Sequence, residues 1–150
     1  MSDVILLDSG PLGLITNPTA SQENRDCNAW MQSQLQNGVR VLVPAISDYE
    51  VRRELLRAGK SKGLAKLDEL KRAVGYVPLN TEMLLVAATL WAQARQVGKP
   101  TAHDHAIDGD VILCAQAVVL AGKGHRVLVA TTNVKHLEQF VDARLWGDIA

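Results

Sequence analysis

Cysteine is scarce in this chain: 150 residues contain only Cys27 and Cys114, in unrelated contexts. No CxxC pair and no disulfide framework can be read from them, and Cys114, inside an apolar run, is expected to be a small core residue. Long hydrophobic runs are missing as well. Nothing approaches the ~20 apolar residues of a membrane span, and the N-terminal run Val4–Leu7 is too short for a signal peptide. A cytoplasmic protein without a membrane partner is the expectation. No paired His/Cys pattern of the zinc type occurs; His103 and His105 stand two apart on an expected loop and read as solvated. Repeats and low-complexity stretches are absent too. Aromatic residues make up 4% of the chain, and net charge is zero, with 16 basic against 16 acidic side chains, so bulk charge says nothing about partners.

What the chain does have is an ordered alternation of elements, sized for one domain over residues 1–150. Val4–Leu7 reads as a buried strand closed by Asp8-Ser9-Gly10-Pro11, with Pro11 opening a short helix through Ile15. Residues 20–37 read as a helix with Cys27, Trp30, Met31 and Leu35 on its apolar side, stopped by Asn37-Gly38. Val39–Val43 is a second strand, ended by Pro44. Helices are expected over Ser47–Ala58 and residues 61–74, then a short strand over Tyr76–Leu79. Residues 81–97 carry apolar positions at helical spacing. Asp110–Ala121, apolar on nearly every side, predicts a buried central helix. Arg126–Ala130 is a strand, Asn133–Phe140 a short helix and Val141–Trp146 an edge strand. Apolar strands alternating with helices predict an α/β/α sandwich around a parallel sheet of four to five strands, and ligands of such sheets bind beyond the carboxyl ends of the strands.

That rule selects the polar residues to weigh. Asp8 follows the first strand, as a metal ligand or as the cap of the Pro11 helix. Glu50 follows the second; Ser47-Asp48-Tyr49-Glu50 also fits a capping box. Asp110 opens the apolar helix, where the helix dipole favours an acid by about 0.3–1 kcal/mol. One acid is explained that way, but Asp104, Asp108 and Asp110 are crowded together, and a divalent cation would relieve their repulsion. Asn133, after the strand ending at Ala130, reads as a cap. Oxygen ligands around an open site suit magnesium. Residues 52–72 hold eight basic side chains against three acids, a surplus of five, which marks either a phosphate-binding face or a solvated helical surface. Tyr49 is the one aromatic beside the proposed site, for stacking or for packing on the sheet. Trp30, Leu90 and Trp91 are candidates for a dimer surface or for the core.

Four motifs, Leu7-Asp8-Ser9, Val43-Pro44-Ala45-Ile46-Ser47-x-x-Glu50, Asp110-Val111-Ile112-Leu113-Cys114-Ala115-Gln116-Ala117 and Val129-Ala130-Thr131-Thr132-Asn133, resemble the PIN-domain family. Their order and spacing are most similar to VapC-type toxins of bacterial toxin–antitoxin pairs, and the resemblance spans nearly the whole chain. It implies a PIN-like fold and an endoribonuclease dependent on Mg2+ or Mn2+, a homodimer silenced by a small antitoxin. It matches Asp8, Glu50 and Asp110 to the family's three main acids, Asn133 to a fourth that is often Asp, Asp108 to an additional acid of some members, and Ser9 to a small hydroxyl residue. Neutral Asn133 makes one-metal chemistry the expectation. Asp8, Glu50, Asp110 and Asp108 would hold the ion or orient water, while Ser9, Arg52, Arg53, Lys60 and Lys62 would meet the RNA backbone. The rival readings are a non-catalytic PIN-like module that binds RNA or protein, a receiver-type phosphate-accepting domain, and a nuclease acting on DNA.

Overall fold

The run Asp3–Leu7 (β1), apolar on both faces, lies at the centre of a five-stranded sheet in a computed structural model that describes residues 3–19, 21–96 and 107–150. The other strands are β2 (Arg40–Pro44), β3 (Tyr76–Val77), β4 (Arg126–Thr131) and β5 (Ala143–Leu145). The sheet order is β3-β2-β1-β4-β5 and every pairing is parallel. Six helices cover it: α1 (Ser9–Thr16), α2 (Gln22–Gln36), α3 (Ala45–Arg57), α4 (Ser61–Val74), α5 (Thr81–Gln96) and α6 (Ile107–Gly122). The expected α/β class and parallel sheet are what the chain forms. His103, Asp104 and His105 lie outside the described residues.

Alternation along the strands divides the core between the two faces. Val4, Leu6 and Leu42 pack with Leu113, Cys114 and Ala117 of α6 on one side. Ile5, Leu7, Val41 and Val43 pack with Leu12, Cys27, Met31 and Leu67 on the other. Trp30 belongs to this second core: its ring stands 5.9 Å from that of Trp146, and its Nε1 donates to the Ile149 carbonyl at 3.0 Å. Leu90 packs against the first core, whereas Trp91 is exposed.

Several boundaries differ from the sequence reading: α6 begins at Ile107, so Asp110 lies within its first turn rather than opening it, and three further shifts bear on the site. Helix α3 begins at Ala45 with Pro44 as its cap residue, so Ser47 lies inside the first turn and the capping box does not form. The Ser47 hydroxyl is buried, without a hydrogen bond among the described residues. Pro44 has no side-chain acceptor. Instead Gln116 of α6 reaches over, its Oε1 accepting from Ile46 N at 3.4 Å while its Nε2 donates to the Val77 carbonyl at 2.9 Å. One fully buried amide thus ties α6 to α3 and β3. Helix α1 begins at Ser9, with Asp8 rather than the Gly10–Pro11 pair at its entry. The expected helix over Asn133–Phe140 shrinks to one 3-10 turn, Val134–His136, because the chain must turn back to lay β5 beside β4.

The sheet changes direction between β1 and β4: the chain builds outward through β2 and β3, then returns to the other side of β1. The carboxyl end of that junction is where α/β sheets place their ligands. Leu7 is in register with Ala130, and Asp8 N donates to the Ala130 carbonyl at 2.9 Å, so Asp8 and Thr131 emerge side by side.

Candidate active site

Asp8 is held at both oxygens. Oδ1 accepts from Ser9 N at 2.7 Å, the N-cap bond of α1, and Oδ2 accepts from the buried Thr131 hydroxyl at 2.7 Å. Thr131 Oγ1 in turn accepts from Asn133 N at 3.0 Å. The end of β4 therefore fixes the first acid and shapes the turn that carries Asn133. Close approach of α1 to this turn needs Gly10, where an added Cβ would come within 2.7 Å of Thr132 Cγ2.

Glu50 enters from α3, one and a half turns into the helix. It is half-buried, and its pKa rises to about 7 from an ordinary 4.5. Burial is the main cause, followed by the charge of Asp8, with Asp110 adding to it; Arg53 pulls the other way. Its carboxylate rests on the first turn of α6, where a Cβ at Gly109 would come within 2.8 Å of Glu50 Oε2. Asp110 stands in that same turn, its Oδ2 3.7 Å from His136 Nδ1. That spacing is an ion-pair distance for a protonated ring and too long for a hydrogen bond. The other ring nitrogen, Nε2, lies 3.3 Å from Asn133 Nδ2. Beneath the site, burial pushes the Cys114 thiol well above its usual range, and the charges of Asp110 and Asp8 add to it, so this cysteine is inert. Asp8 and Asp110 thus act on two common neighbours, one above and one below.

The structure therefore brings Asp8, Glu50 and Asp110 to one edge from β1, α3 and α6, with Ser9 beside them. It does not bring Asp108 there. That carboxylate is exposed and lines a separate groove with Leu84, Trp91 and Ile112. The three acids are also not gathered into a cage: among the described residues no three His, Cys, Asp or Glu side chains stand close enough to hold a metal ion. The reason is visible in their contacts. Asp8 is turned to Ser9 and Thr131, Asp110 reaches toward His136, and Glu50 lies on Gly109. By donor chemistry the residues fit a hard divalent cation, since all are carboxylates, and the charges of Asp8 and Asp110 both raise the Glu50 pKa.

A groove of about 510 Å³ leads away between α1 and α3, from Ser9, Gly10 and Glu50 past Arg53 and Arg57 to Lys60. The basic segment divides here. Arg53, Arg57 and Lys60 line the groove, while Lys62 is exposed and outside it. Arg52 turns toward α4, its Nη2 meeting Asp48 of its own helix at 2.9 Å and Asp68 of α4 at 2.6 Å, and Lys71 adds a contact to Asp48 at 3.4 Å. Those two carboxylates hold the Arg52 charge in place, so it serves the α3–α4 packing. Reading the sequence alone missed His136, Thr131 and Gln116. The Asn133-x-x-His136 spacing and a β-branched hydroxyl residue at a strand end were the available signals.

Compared with known proteins, the sequence matches no family model and no curated protein. Solved structures do match. VapBC2 from Rickettsia felis, solved with a DNA fragment from its promoter, superimposes with a TM-score of 0.73 at 12% identity, covering 95% of this chain and 98% of that one. FitAcB from Neisseria gonorrhoeae gives 0.70 at 20% identity, with 97% and 99% covered. VapBC-1 from nontypeable Haemophilus influenzae gives 0.71 at 13% identity, with 97% and 99% covered. The fold is PIN-like. Its neighbours are toxin–antitoxin structures, and the likeness runs over nearly the full length of each matched chain. No helix among the described residues is long and apolar enough to cross a membrane.

The contact at Gly109 makes a local prediction. Gly109→Ala is expected to displace the Glu50 carboxylate while costing under about 1 kcal/mol of stability, because a mobile side-chain end yields and Ala favours the helix. Thermal melts of the parent and the variant check that the fold stays intact.

Proposed function

We propose that this chain is a metal-dependent endoribonuclease and the toxin of a toxin–antitoxin pair. The observation that carries the proposal is that Asp8 of the β1 end and Asp110 of α6 both bear electrostatically on Glu50 of α3, at the carboxyl edge of the β1–β4 junction. The PIN-like fold shared with toxin–antitoxin structures supports the second half of it. Asp8 and Asp110 would hold Mg2+ or Mn2+, with Glu50 completing the set. When bound, such an ion stabilises charge on the scissile phosphate and acidifies the attacking water. The chain's own part is to place the groups. Thr131 and Ser9 fix Asp8, His136 stands beside Asp110, and Glu50, near both acids, orients the water for in-line attack. The P–O bond opposite the incoming oxygen breaks, and the departing oxygen takes up a proton. Arg53, Arg57 and Lys60 give the groove the charge to track a phosphate backbone.

A small antitoxin and a second copy of the chain are the partners in this reading. A non-catalytic RNA- or protein-binding module is the alternative, favoured by one observation: the acids are not gathered around a common point in the described residues. The two separate in one assay. The purified chain should cut single-stranded RNA in magnesium or manganese and stop when the ion is chelated by EDTA. Intact RNA under both conditions, from a folded protein, rules out the nuclease.

A further inference from the structure

Aromatic rings are few, and most are taken. Trp30 pairs with Trp146, Phe140 packs against the core, and Tyr76 lies under Lys71 at the β3 edge. Trp91 is exposed on α5, beneath Arg95. Tyr49 is different. It immediately precedes Glu50 on α3 and is 57% exposed, so the alternative of packing on the sheet does not hold. The Arg53 guanidinium lies over its ring, 5.2 Å from the centroid, an i,i+4 pair on one helix face. Arg53 also faces Glu50, whose carboxyl it holds lower than burial alone would, and lines the groove in which Glu50 stands. One side chain therefore joins an exposed aromatic ring to the carboxylate edge. A guanidinium stacked through its face keeps its edge N–H groups for an anion, and Arg53 makes no hydrogen bond among the described residues.

We propose that Tyr49, backed by Arg53, is a stacking platform for one unpaired base of a single-stranded RNA, with the Arg53 edge contacting the phosphate beside it. This rests on the nuclease reading above and assigns the selection of single strands to one named ring. An aromatic ring stacks any unpaired base with little regard to sequence. In an A-form duplex the bases are stacked on one another and closed to the ring. The platform therefore selects strandedness while the basic groove supplies affinity common to both forms. Tyr49 acts by positioning the substrate and touches no reacting atom.

The test uses binding in EDTA, where no cleavage occurs, with a short labelled RNA offered as a single strand and as a duplex of the same sequence. Tyr49→Ala is expected to weaken single-strand binding by about 5- to 100-fold and to leave duplex binding within about twofold. Tyr49→Phe, which keeps the ring, should bind as the parent does. Because Tyr49 is exposed, both variants should fold, which circular dichroism checks. A 2-aminopurine in the single strand should be quenched by the parent and by Tyr49→Phe but not by Tyr49→Ala. Unchanged single-strand affinity in Tyr49→Ala overturns the proposal. So does an equal loss for duplex and single strand, or a Tyr49→Phe variant as weak as Tyr49→Ala. Selective binding through Tyr49 by a chain that never cuts RNA supports the platform while ending the nuclease reading, so the two failures are distinguishable.

Discussion

Asp110→Asn is expected to reduce RNA cleavage in magnesium by about a thousandfold while leaving the protein folded. The size follows from the role. A cation that stabilises several kcal/mol of charge at the reacting phosphate is lost when one of its few anionic holders becomes neutral, and each 1.36 kcal/mol is a factor of ten in rate. Two readings of Asp110 are separated by this variant. If the acid serves only the N-terminal dipole of α6, its removal costs about 0.3–1 kcal/mol of stability and leaves cleavage untouched. If it holds a cation, activity collapses, and metal-free stability changes little, because relief of repulsion toward Glu50 offsets the dipole loss. Asp8→Asn should behave alike in activity, with the cap retained, since Asn caps helices about as well as Asp. Cleavage at the parent rate in both variants defeats the proposed function.

Much of this arrangement is legible in the sequence, for particular reasons. Val4–Leu7, Val39–Val43 and Arg126–Ala130 are apolar on both faces, a pattern that only a sheet covered on two sides accommodates, so a parallel sheet with acids beyond its strand ends followed directly. Asp8 was placed well because a strand end is a local feature. The start of α3 was misplaced for the opposite reason. Ser47-x-x-Glu50 has the local form of a capping box, but a distant side chain, Gln116, meets the helix terminus and lets it begin two residues earlier, at Ala45. No local rule registers a partner seventy positions away. The crowding of Asp104, Asp108 and Asp110 was likewise a statement about sequence distance. In the helix, Asp108 and Asp110 take different directions, one toward the α5 groove and one toward His136. Surplus basic charge over residues 52–72 was real but said nothing of partners. Only the packing of α4 shows that Arg52 is spent on Asp48 and Asp68, leaving Arg53 to face the groove.

Glu50→Gln carries the second large effect, and its sign depends on pH. In the metal-free protein the Glu50 carboxyl has a pKa of about 7 against an ordinary 4.5, raised chiefly by burial and then by the charges of Asp8 and Asp110. A carboxyl whose folded pKa lies above its unfolded value binds its proton more tightly in the fold, so ionising it destabilises the fold. Below about pH 4.5 the residue is neutral in both states and costs nothing. Between 4.5 and 7 the penalty grows, and above 7 it is complete. After discounting for the part of the carboxyl open to solvent, it amounts to about 1–2 kcal/mol. Gln has the same shape and no charge, so metal-free Glu50→Gln should be more stable than the parent at pH 8 by that amount and indistinguishable from it near pH 4. Urea titrations at the two pH values in EDTA measure the difference. Magnesium should reverse the ranking: it stabilises the parent by mass action, stabilises the variant less, and supports cleavage only in the parent. A purely structural Glu50 predicts the opposite on every count, with Gln destabilising at pH 8, no response to magnesium and full activity. A carboxylate whose charge destabilises the metal-free fold would then be one the reaction needs, which is how a site built to receive a cation differs from one built to hold a helix.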